Sequence, residues 1–265
     1  TYLERKPKIF DYNMVVIGAG AAGLVTSYLC TSFRAKVALI EKNKMGGDCL
    51  NTGCVPSKAL IRSARHAFDL RHGSQLGFSD LEPDVDFQAV MARVQRVIST
   101  IEPHDSPERY RGLGVDVELG LGEILTPWEV SVNDKVLTTR NIIIATGAEP
   151  LVPPIENIEQ VDFLTSDTLW KLQQLPERAI VLGGGPIGTE LTQAFSRLGS
   201  QVTQVDDEHR EDEDSILEYV ALYRSHRRIL TPYECLLLSS VAAFFFVGYR
   251  GLGRVQIQGM KVVSR

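Results

Sequence analysis

Two cysteines, Cys49 and Cys54, lie five positions apart in a stretch of small residues. On an ideal helix, five positions correspond to a rotation of about 140° and a rise of about 7.5 Å, whereas the Cα atoms of a disulfide lie about 4.4 to 6.8 Å apart. If the two sulfurs pair, Cys49 must therefore lie in irregular backbone, with regular helix starting near Cys54. Gly53 permits a positive φ in the connection, and Pro56 suits a first helical turn.

The position of Cys54 favours redox chemistry. At a helix N-terminus the macrodipole and the free amide donors favour a thiolate, and Lys58 adds positive charge one turn further on. A low-pKa thiol beside a second thiol is the arrangement of a redox-active dithiol. The spacing leaves open that both are ordinary buried thiols. A metal pair is less favoured, because zinc sites use shorter spacings and a second ligand pair.

A βαβ unit precedes the cysteines. An apolar strand at 14–17 leads into a G-x-G-x-x-G turn at 18–23, and a second strand at 36–40 ends at Glu41. The three glycines give a tight turn, a close approach to a pyrophosphate and close packing of the helix on the strand. Glu41 lies 23 positions after Gly18, about where an acid meets a ribose hydroxyl. A plain tight turn is the alternative.

The middle of the chain predicts packing elements. Residues 87–101 carry an apolar stripe at helical spacing, which Pro103 ends. Period-two segments at 115–119, 128–132 and 135–137 indicate an antiparallel meander with a turn at 133–134, and residues 141–147 are typical of a buried strand.

A second βαβ unit follows a proline-rich segment. Ser166 is predicted to cap a short helix that runs through Leu175. A strand at 179–182 then leads into a second G-x-G-x-x-G turn at 183–188, and a strand at 201–205 ends at Asp206. Asp206 lies 23 positions after Gly183, which repeats the offset of the first unit.

The segment 46–58 resembles, almost letter for letter, the redox-disulfide motif of the class I flavin-dependent pyridine nucleotide-disulfide oxidoreductases, such as lipoamide dehydrogenase and mercuric reductase. The resemblance covers about residues 11–220. It implies an α/β fold with two Rossmann-like dinucleotide-binding domains, flavin first and nicotinamide second, and a small antiparallel meander. The implied domains are an FAD-binding domain at 1–150, a linker at 151–178 and an incomplete NAD(P)-binding domain with a divergent tail at 179–265.

The resemblance assigns roles to four catalytic residues. Cys54 faces the flavin, Cys49 exchanges with substrate, Lys58 approaches the reactive flavin nitrogen, and Glu190 is the carboxylate partner of Lys58. From its sequence context alone, Glu190 is a solvated helix residue.

The resemblance also implies the positions that bind each cofactor. The residues expected at FAD are Gly18, Gly20, Ala22, Gly23, Glu41, Lys42, Gly47, Asp48, Lys58, Gly122, Thr146 and Gly147. The residues expected at NAD(P) are Gly183, Gly185, Pro186, Ile187, Gly188 and Asp206. A carboxylate at Asp206 favours NADH, because it repels the 2′-phosphate of NADPH. Asp207 and Glu208 reinforce that repulsion, whereas Arg210 opposes it.

The predicted function follows from this layout. Electrons pass from NAD(P)H through FAD to a Cys49–Cys54 disulfide, and then to a small-molecule acceptor such as a disulfide or a metal ion. One alternative is a diaphorase or NADH oxidase in which the cysteines are incidental, and another is a non-catalytic nucleotide-binding remnant. The family implies a homodimer, but its dimerisation domain has no counterpart in the sequence, so a truncated or divergent C-terminus is expected.

The composition of the chain excludes several kinds of partner and cellular location. The net charge of −5 with mixed signs gives no case for nucleic-acid binding. Four cysteines are too few for a secreted disulfide scaffold, and residues 1–10 contain no apolar signal segment. The apolar run at 236–248 is shorter than the roughly 20 residues of a spanning helix. A cytoplasmic protein without a membrane partner is expected.

Overall fold

The computed structural model describes residues 6–206, together with two short segments at 255–257 and 260–262. The predictions about Asp207, Glu208, Arg210 and the apolar run lie outside the described residues. Within that part of the chain there are two compact units, one containing residues 6–56 and 95–170 and the other residues 57–94 and 171–206.

The described residues form ten strands and six α-helices. The strands are β1 (Tyr12–Ile17), β2 (Val37–Glu41), β3 (Val115–Leu119), β4 (Gly122–Thr126), β5 (Glu129–Val132), β6 (Lys135–Ile144), β7 (Arg178–Leu182), β8 (Gln201–Val205), β9 (Val255–Ile257) and β10 (Met260–Val262). The helices are α1 (Ala21–Ser32), α2 (Gly47–Asn51), α3 (Cys54–Arg71), α4 (Phe87–Ile101), α5 (Pro107–Gly112) and α6 (Pro186–Leu198).

The first unit is organised around a six-stranded mixed sheet with the order β3-β2-β1-β6-β5-β4. Strands β3, β2, β1 and β6 are parallel, whereas β6, β5 and β4 form an antiparallel meander. The predicted meander is wrong in its first strand: residues 115–119 form β3, which pairs in parallel with β2, and the meander begins with β4 instead. Strand β6 belongs to both parts: its first residues pair with β5, and the segment from Thr139 to Ile144 pairs with β1. The chain therefore has an α/β fold with a mixed six-stranded sheet that includes an antiparallel segment.

Alternation along the central strands divides the core between two faces. Val16 and Leu39 belong to one fully buried cluster, whereas Val15 and Ile40 belong to another. All five residues of β2 are buried, four of them apolar and the last Glu41, as expected for a parallel strand that lies between two neighbours and is covered on both faces. Strand β1, in this buried centre, leads directly into the first glycine turn.

The predicted buried strand at 141–147 is wrong in extent and in burial. Strand β6 ends at Ile144, whose exposed fraction is 47%. The backbone N–H of Ala145 makes a last bond to Ile17, and Gly147 then adopts a φ of +70°. The end of β6 pairs with β1 alone among the described residues, so its apolar side chains are only partly covered.

The helix predicted after Ser166 is also wrong. The segment forms only a single 3-10 turn, Leu169–Lys171. Just before it, residues 165–168 form a turn in which the hydroxyl of Thr168 accepts from the backbone N–H of Thr165 at 2.9 Å. Leu169 and Trp170 are buried, with exposed fractions of 7% and 8%, so the two side chains pack into the first unit.

The second unit contains the second βαβ element. Strands β7 and β8 pair in parallel over five residues, and α6 buries Ala194, Phe195 and Leu198. The ring of Phe195 lies 6.2 Å from that of Phe87 at the start of α4. Helix α4 has the predicted bounds, and Phe87, Met91 and Val94 on its stripe are buried.

No helix within the described residues has the length and apolar character needed to span a bilayer. The remaining strands, β9 and β10, form an antiparallel pair.

Candidate functional site

The two cysteines lie at facing ends of consecutive helices. Cys49 is in the short helix α2, and Cys54 is the first residue of α3. The prediction that Cys49 lies in irregular backbone is therefore wrong: the break in the helix falls on Thr52 and Gly53 instead, and it brings the sulfurs together. Both cysteines are free thiols in this structure, and they are hydrogen-bonded to each other.

Positive φ angles occur at the start of α2 and not at its end. Gly46 has a φ of +86° and Gly47 a φ of +53°. Gly53 does not have a positive φ, which corrects the expectation for that residue. Gly53 is required for space instead, because a Cβ atom there would lie 2.9 Å from the carbonyl oxygen of Asp48.

Burial makes Cys49 a weak acid. Partial removal from solvent raises the pKa of Cys49 to about 11, and the hydrogen bond with Cys54 adds to this effect. Cys54, in contrast, is exposed. The reduced pair therefore holds a proton on Cys49.

The link between the cysteines is held by several hydrogen bonds. The amide of Asn51 donates to the carbonyl oxygens of Met45 and Gly47 at 3.1 and 2.9 Å. The backbone N–H of Thr52 donates to Asp48 at 2.9 Å. The indole N–H of Trp170 donates to the carbonyl oxygen of Thr52 at 2.7 Å. Sequence reasoning missed this last contact, which joins residues 118 positions apart and has no local signature.

The first glycine turn packs directly against the dithiol loop, which is the segment 46–54 that carries both cysteines. A Cβ atom on Gly47 would lie 2.6 Å from the Cα of Gly20, and the backbone N–H of Gly46 donates to Ala19 at 2.9 Å. Two other glycines of the turn are closed in by backbone: a Cβ on Gly18 would lie 2.2 Å from the oxygen of Ala145, and one on Gly23 would lie 1.8 Å from that of Gly18. Ala22 is exposed in the first turn of α1.

Glu41 closes the other side of this turn. It is only 8% exposed, and its carboxylate accepts the backbone N–H groups of Ala19 at 2.6 Å and Asn43 at 2.7 Å. The next residue, Lys42, is exposed. Gly122 begins β4 beside the same strand ends, and a Cβ there would lie 3.2 Å from Ile40.

Strand β6 delivers Thr146 and Gly147 beside the dithiol loop. A Cβ on Gly147 would lie 3.4 Å from a carboxylate oxygen of Asp48. Burial, followed by the charges of Asp167 and Glu41, raises the pKa of Asp48. The hydroxyl oxygen of Thr146 is buried and has no hydrogen-bond partner among the described residues. An unsatisfied buried hydroxyl is costly, so this position favours a polar ligand.

The second glycine turn is braced by its own strand. Gly183 has a φ of +108°, and a Cβ on Gly188 would lie 2.1 Å from its carbonyl oxygen. The amide of Gln204 donates to the same oxygen at 3.0 Å, a contact that the glycine pattern alone does not reveal. Pro186 and Ile187 are exposed in the first turn of α6.

Asp206 lies against this second turn. A Cβ on Gly184 would lie 2.1 Å from a carboxylate oxygen of Asp206, so the missing side chain leaves room for the acid. No atom of the described residues would lie within 4 Å of a Cβ on Gly185, which leaves that position open to a ligand.

Lys58 and Glu190 form an ion pair within the second unit. The ammonium of Lys58 donates to both carboxylate oxygens of Glu190 at 2.6 and 2.7 Å. The side chains are 60% and 39% exposed, so the pair stabilises the fold by at most about 1 kcal/mol.

Comparison with known proteins decides the family. The sequence profile of the pyridine nucleotide-disulphide oxidoreductases matches residues 12–220. The chain belongs to that family. Mercuric reductase from Streptomyces lividans is 36% identical over 205 residues, which cover 72% of this chain and 42% of the relative. Dihydrolipoyl dehydrogenase 2 of Arabidopsis chloroplasts is 34% identical over 202 residues, which cover 75% and 35%.

A solved oxidoreductase structure is similar as well. The HOCl-induced flavoprotein disulfide reductase RclA from Escherichia coli, in its Cu(II) complex, superposes with a TM-score of 0.62 at 28% identity. The match covers 80% of this chain and 46% of that protein. The chain therefore spans less than half of the length of each of these three relatives.

Membership of the pyridine nucleotide-disulphide oxidoreductase family implies binding of FAD and NAD(P), and the residues present fit both groups. Gly18 and Gly23 form a turn that excludes side chains, and the unpartnered hydroxyl of Thr146 offers a polar contact beside it. In the second turn, the open position at Gly185 precedes the N-terminus of α6, where phosphates bind well.

Proposed function

We propose that this chain is the flavin-binding and partial nicotinamide-binding part of an oxidoreductase that passes electrons from NAD(P)H to a Cys49–Cys54 disulfide. The observation that carries the proposal is the packing of the dithiol loop on the first glycine turn, where Gly47 lies against Gly20. A cofactor bound by that turn lies next to the two thiols. Two thiols in mutual hydrogen bonding need little movement to form a disulfide.

The proposal assigns a Rossmann-like domain to each cofactor. Residues 1–150 bind FAD, 151–178 form a linker, and 179–265 contribute an incomplete NAD(P) domain. Gly18, Gly20 and Gly23 admit a pyrophosphate to the N-terminus of α1, and Gly183, Gly185 and Gly188 do the same at α6. FAD supplies the two-electron chemistry that connects a nicotinamide to a disulfide.

The remaining steps belong to side chains of this chain. Reduction of the disulfide takes up two electrons and two protons, and Cys49 retains its proton because its pKa is raised to about 11. In the reduced pair Cys49 is the thiol that exchanges with the acceptor, a step in which it must give up that proton to react as the thiolate, and Cys54 is the one that faces the cofactor. Glu190 holds the ammonium of Lys58 in one orientation. The position of the positive charge on Lys58 is therefore determined by the folded chain.

Cofactor choice and acceptor are further parts of the proposal. The carboxylate of Asp206 favours NADH over NADPH through its repulsion of a 2′-phosphate, and a lower KM for NADPH would overturn this assignment. The acceptor is a small molecule of the disulfide or metal-ion type, and the working protein is a homodimer.

A cysteine substitution tests the central step. With FAD added, Cys49→Ser abolishes NADH-dependent reduction of a small disulfide, whereas reduction of a quinone by the same variant persists. Cys30→Ser is the matched control, because Cys30 contacts Met14 in the core and not the dithiol loop. If Cys49→Ser leaves disulfide reduction intact, the diaphorase alternative replaces the proposal.

A binding measurement identifies the non-catalytic alternative. A ligand that binds only the folded chain stabilises it by about 2.7 kcal/mol at a hundredfold excess over its Kd. A purified chain whose melting temperature does not rise with FAD lacks the cofactor site altogether.

A further inference from the structure

A buried tryptophan touches the link between the two cysteines. Trp170 is 8% exposed, and its indole N–H donates both to the carbonyl oxygen of Thr52 at 2.7 Å and to that of Ser166 at 2.8 Å. Thr52 and Gly53 are the only residues between helix α2, which carries Cys49, and helix α3, which begins with Cys54. The indole therefore holds the peptide unit between Thr52 and Gly53, in the middle of the connection that determines how the helices face each other.

The tryptophan is itself fixed in place. Its carbonyl oxygen accepts the side-chain amide of Gln95 on α4 at 3.3 Å, and its neighbour Leu169 is buried. The second acceptor, Ser166, lies one turn earlier in the same segment, so the indole closes that turn as well. Segment 165–170 thus connects α4 to the dithiol loop through a rigid aromatic ring.

We propose that Trp170 is a positioning residue that sets the reduction potential of the Cys49–Cys54 couple by holding the carbonyl of Thr52. This inference rests on the proposed function. The couple is the disulfide plus two electrons and two protons on one side and the two thiols on the other. Trp170 takes no electrons; it acts through the backbone carbonyl of Thr52, between the two cysteines.

The direction of the effect follows from chain entropy. The covalent bond already constrains the loop in the disulfide state, whereas the dithiol state gains freedom if the tether is lost. Removal of the indole N–H therefore favours the dithiol. Only the difference between the two redox states counts, so the equilibrium shifts by up to about fivefold toward the dithiol, which corresponds to about 20 mV.

The test is a redox titration of the purified chain and two matched variants. Trp170→Phe keeps an aromatic ring and removes the donor, and Trp128→Phe makes the same change in the turn between β4 and β5. Each protein is equilibrated in glutathione buffers, in which the disulfide and two glutathiones exchange with the dithiol and glutathione disulfide. Alkylation followed by mass spectrometry of the Cys49 and Cys54 peptides gives the oxidised fraction without any need for activity.

The expected result is a midpoint shifted about fivefold toward the dithiol for Trp170→Phe and no shift for Trp128→Phe. Equal midpoints for wild type and Trp170→Phe overturn the inference and leave the proposed function standing. If wild-type Cys49 and Cys54 never form a disulfide in any buffer, the proposed function itself fails.

A second measurement covers the case in which Trp170→Phe does not fold. The chain has two tryptophans, so in Trp128→Phe the indole N–H signal of Trp170 can be followed alone by NMR. The inference requires its chemical shift to change with the same midpoint as the thiols. A signal that is the same in the oxidised and reduced chain overturns it.

Discussion

Gly18 and Gly183 open equivalent glycine turns with almost the same backbone conformation, at φ values of +103° and +108°. Their surroundings differ. A Cβ on Gly18 would collide with the backbone of Ala145 at 2.2 Å, whereas no atom of the described residues would lie within 4 Å of one on Gly183. The same pattern therefore produces the same turn, but neighbouring strands decide how tightly it is enclosed.

The difference begins in the sheets. Strand β1 lies between β2 and β6, whereas β7 and β8 pair only with each other among the described residues. Ile17 at the end of β1 is 8% exposed, and Leu182 at the corresponding point of β7 is 44% exposed. We infer that the first turn is fixed by tertiary packing and that the second depends mainly on its local hydrogen bonds, including those of Gln204.

Alanine at the two equivalent glycines should give the largest contrast. Gly18→Ala combines an unfavourable φ with a backbone collision, so we expect a loss of more than about 3 kcal/mol or failure to fold. Gly183→Ala has only the unfavourable φ and should lose about 1 to 2 kcal/mol. Urea unfolding measures both, with Gly112→Ala as the control because its Cβ meets no atom of the described residues within 4 Å. Equal losses at the two glycines would contradict the contrast.

Neutralising the two acids that follow the glycine turns, Glu41 and Asp206, should give a smaller difference in folding stability than the two glycine substitutions. Glu41→Gln replaces one acceptor oxygen that a buried N–H requires, and we expect it to cost about 1 to 3 kcal/mol of folding stability. Asp206→Asn changes an exposed residue and should stay within about 0.5 kcal/mol, while it weakens discrimination between NADH and NADPH. The comparison breaks if Asp206→Asn destabilises the chain as much as Glu41→Gln.

The pH dependence of the alkylation rate at Cys49 tests how well the dithiol loop in the first unit is shielded from water. Alkylation requires the thiolate, so its rate at Cys49 should keep rising to about pH 11 because burial raises the pKa to about 11. Because the pKa of Cys49 is raised in the folded chain, protonated Cys49 makes its full contribution to the free energy of unfolding at neutral pH. This contribution is lost as the pH rises from the ordinary thiol value of about 8.5 toward about 11.

Peptide-resolved mass spectrometry gives the alkylation rate of each cysteine separately. A rate at Cys49 that levels off near pH 8.5, as for an ordinary thiol, would show that the dithiol loop is open to water. The unfolded chain in urea serves as the internal reference.

The sequence predicted the elements whose signal is local. Helix α4 begins at Phe87 and ends at Ile101 as predicted, because a continuous apolar stripe and Pro103 determine both ends. Strand β8 likewise has its predicted bounds. The glycine turns and their acids were recognisable because phosphate binding places strict requirements on small residues at fixed spacing.

The sequence could not predict features that depend on distant contacts. Helix α2 has five residues, too few for a periodic signal. Two glycines with positive φ, Gly46 and Gly47, precede or begin it and allow it to pack against Gly20 of the first glycine turn. The bond from Trp170 to Thr52 crosses 118 positions, and the exposure of Ile144 depends on how many strands flank β6. In each case, tertiary neighbours outweigh the local pattern.

The central claim is that electrons reach the two thiols, and one anaerobic titration tests it directly. One equivalent of NADH is added to the oxidised, FAD-loaded chain, and new thiols are trapped by alkylation and counted at each cysteine. The account predicts that NADH, a proton and the disulfide give NAD⁺ and two thiols, located at Cys49 and Cys54, with Cys30 unchanged. Oxidation of NADH without new thiols at Cys49 and Cys54 would contradict it.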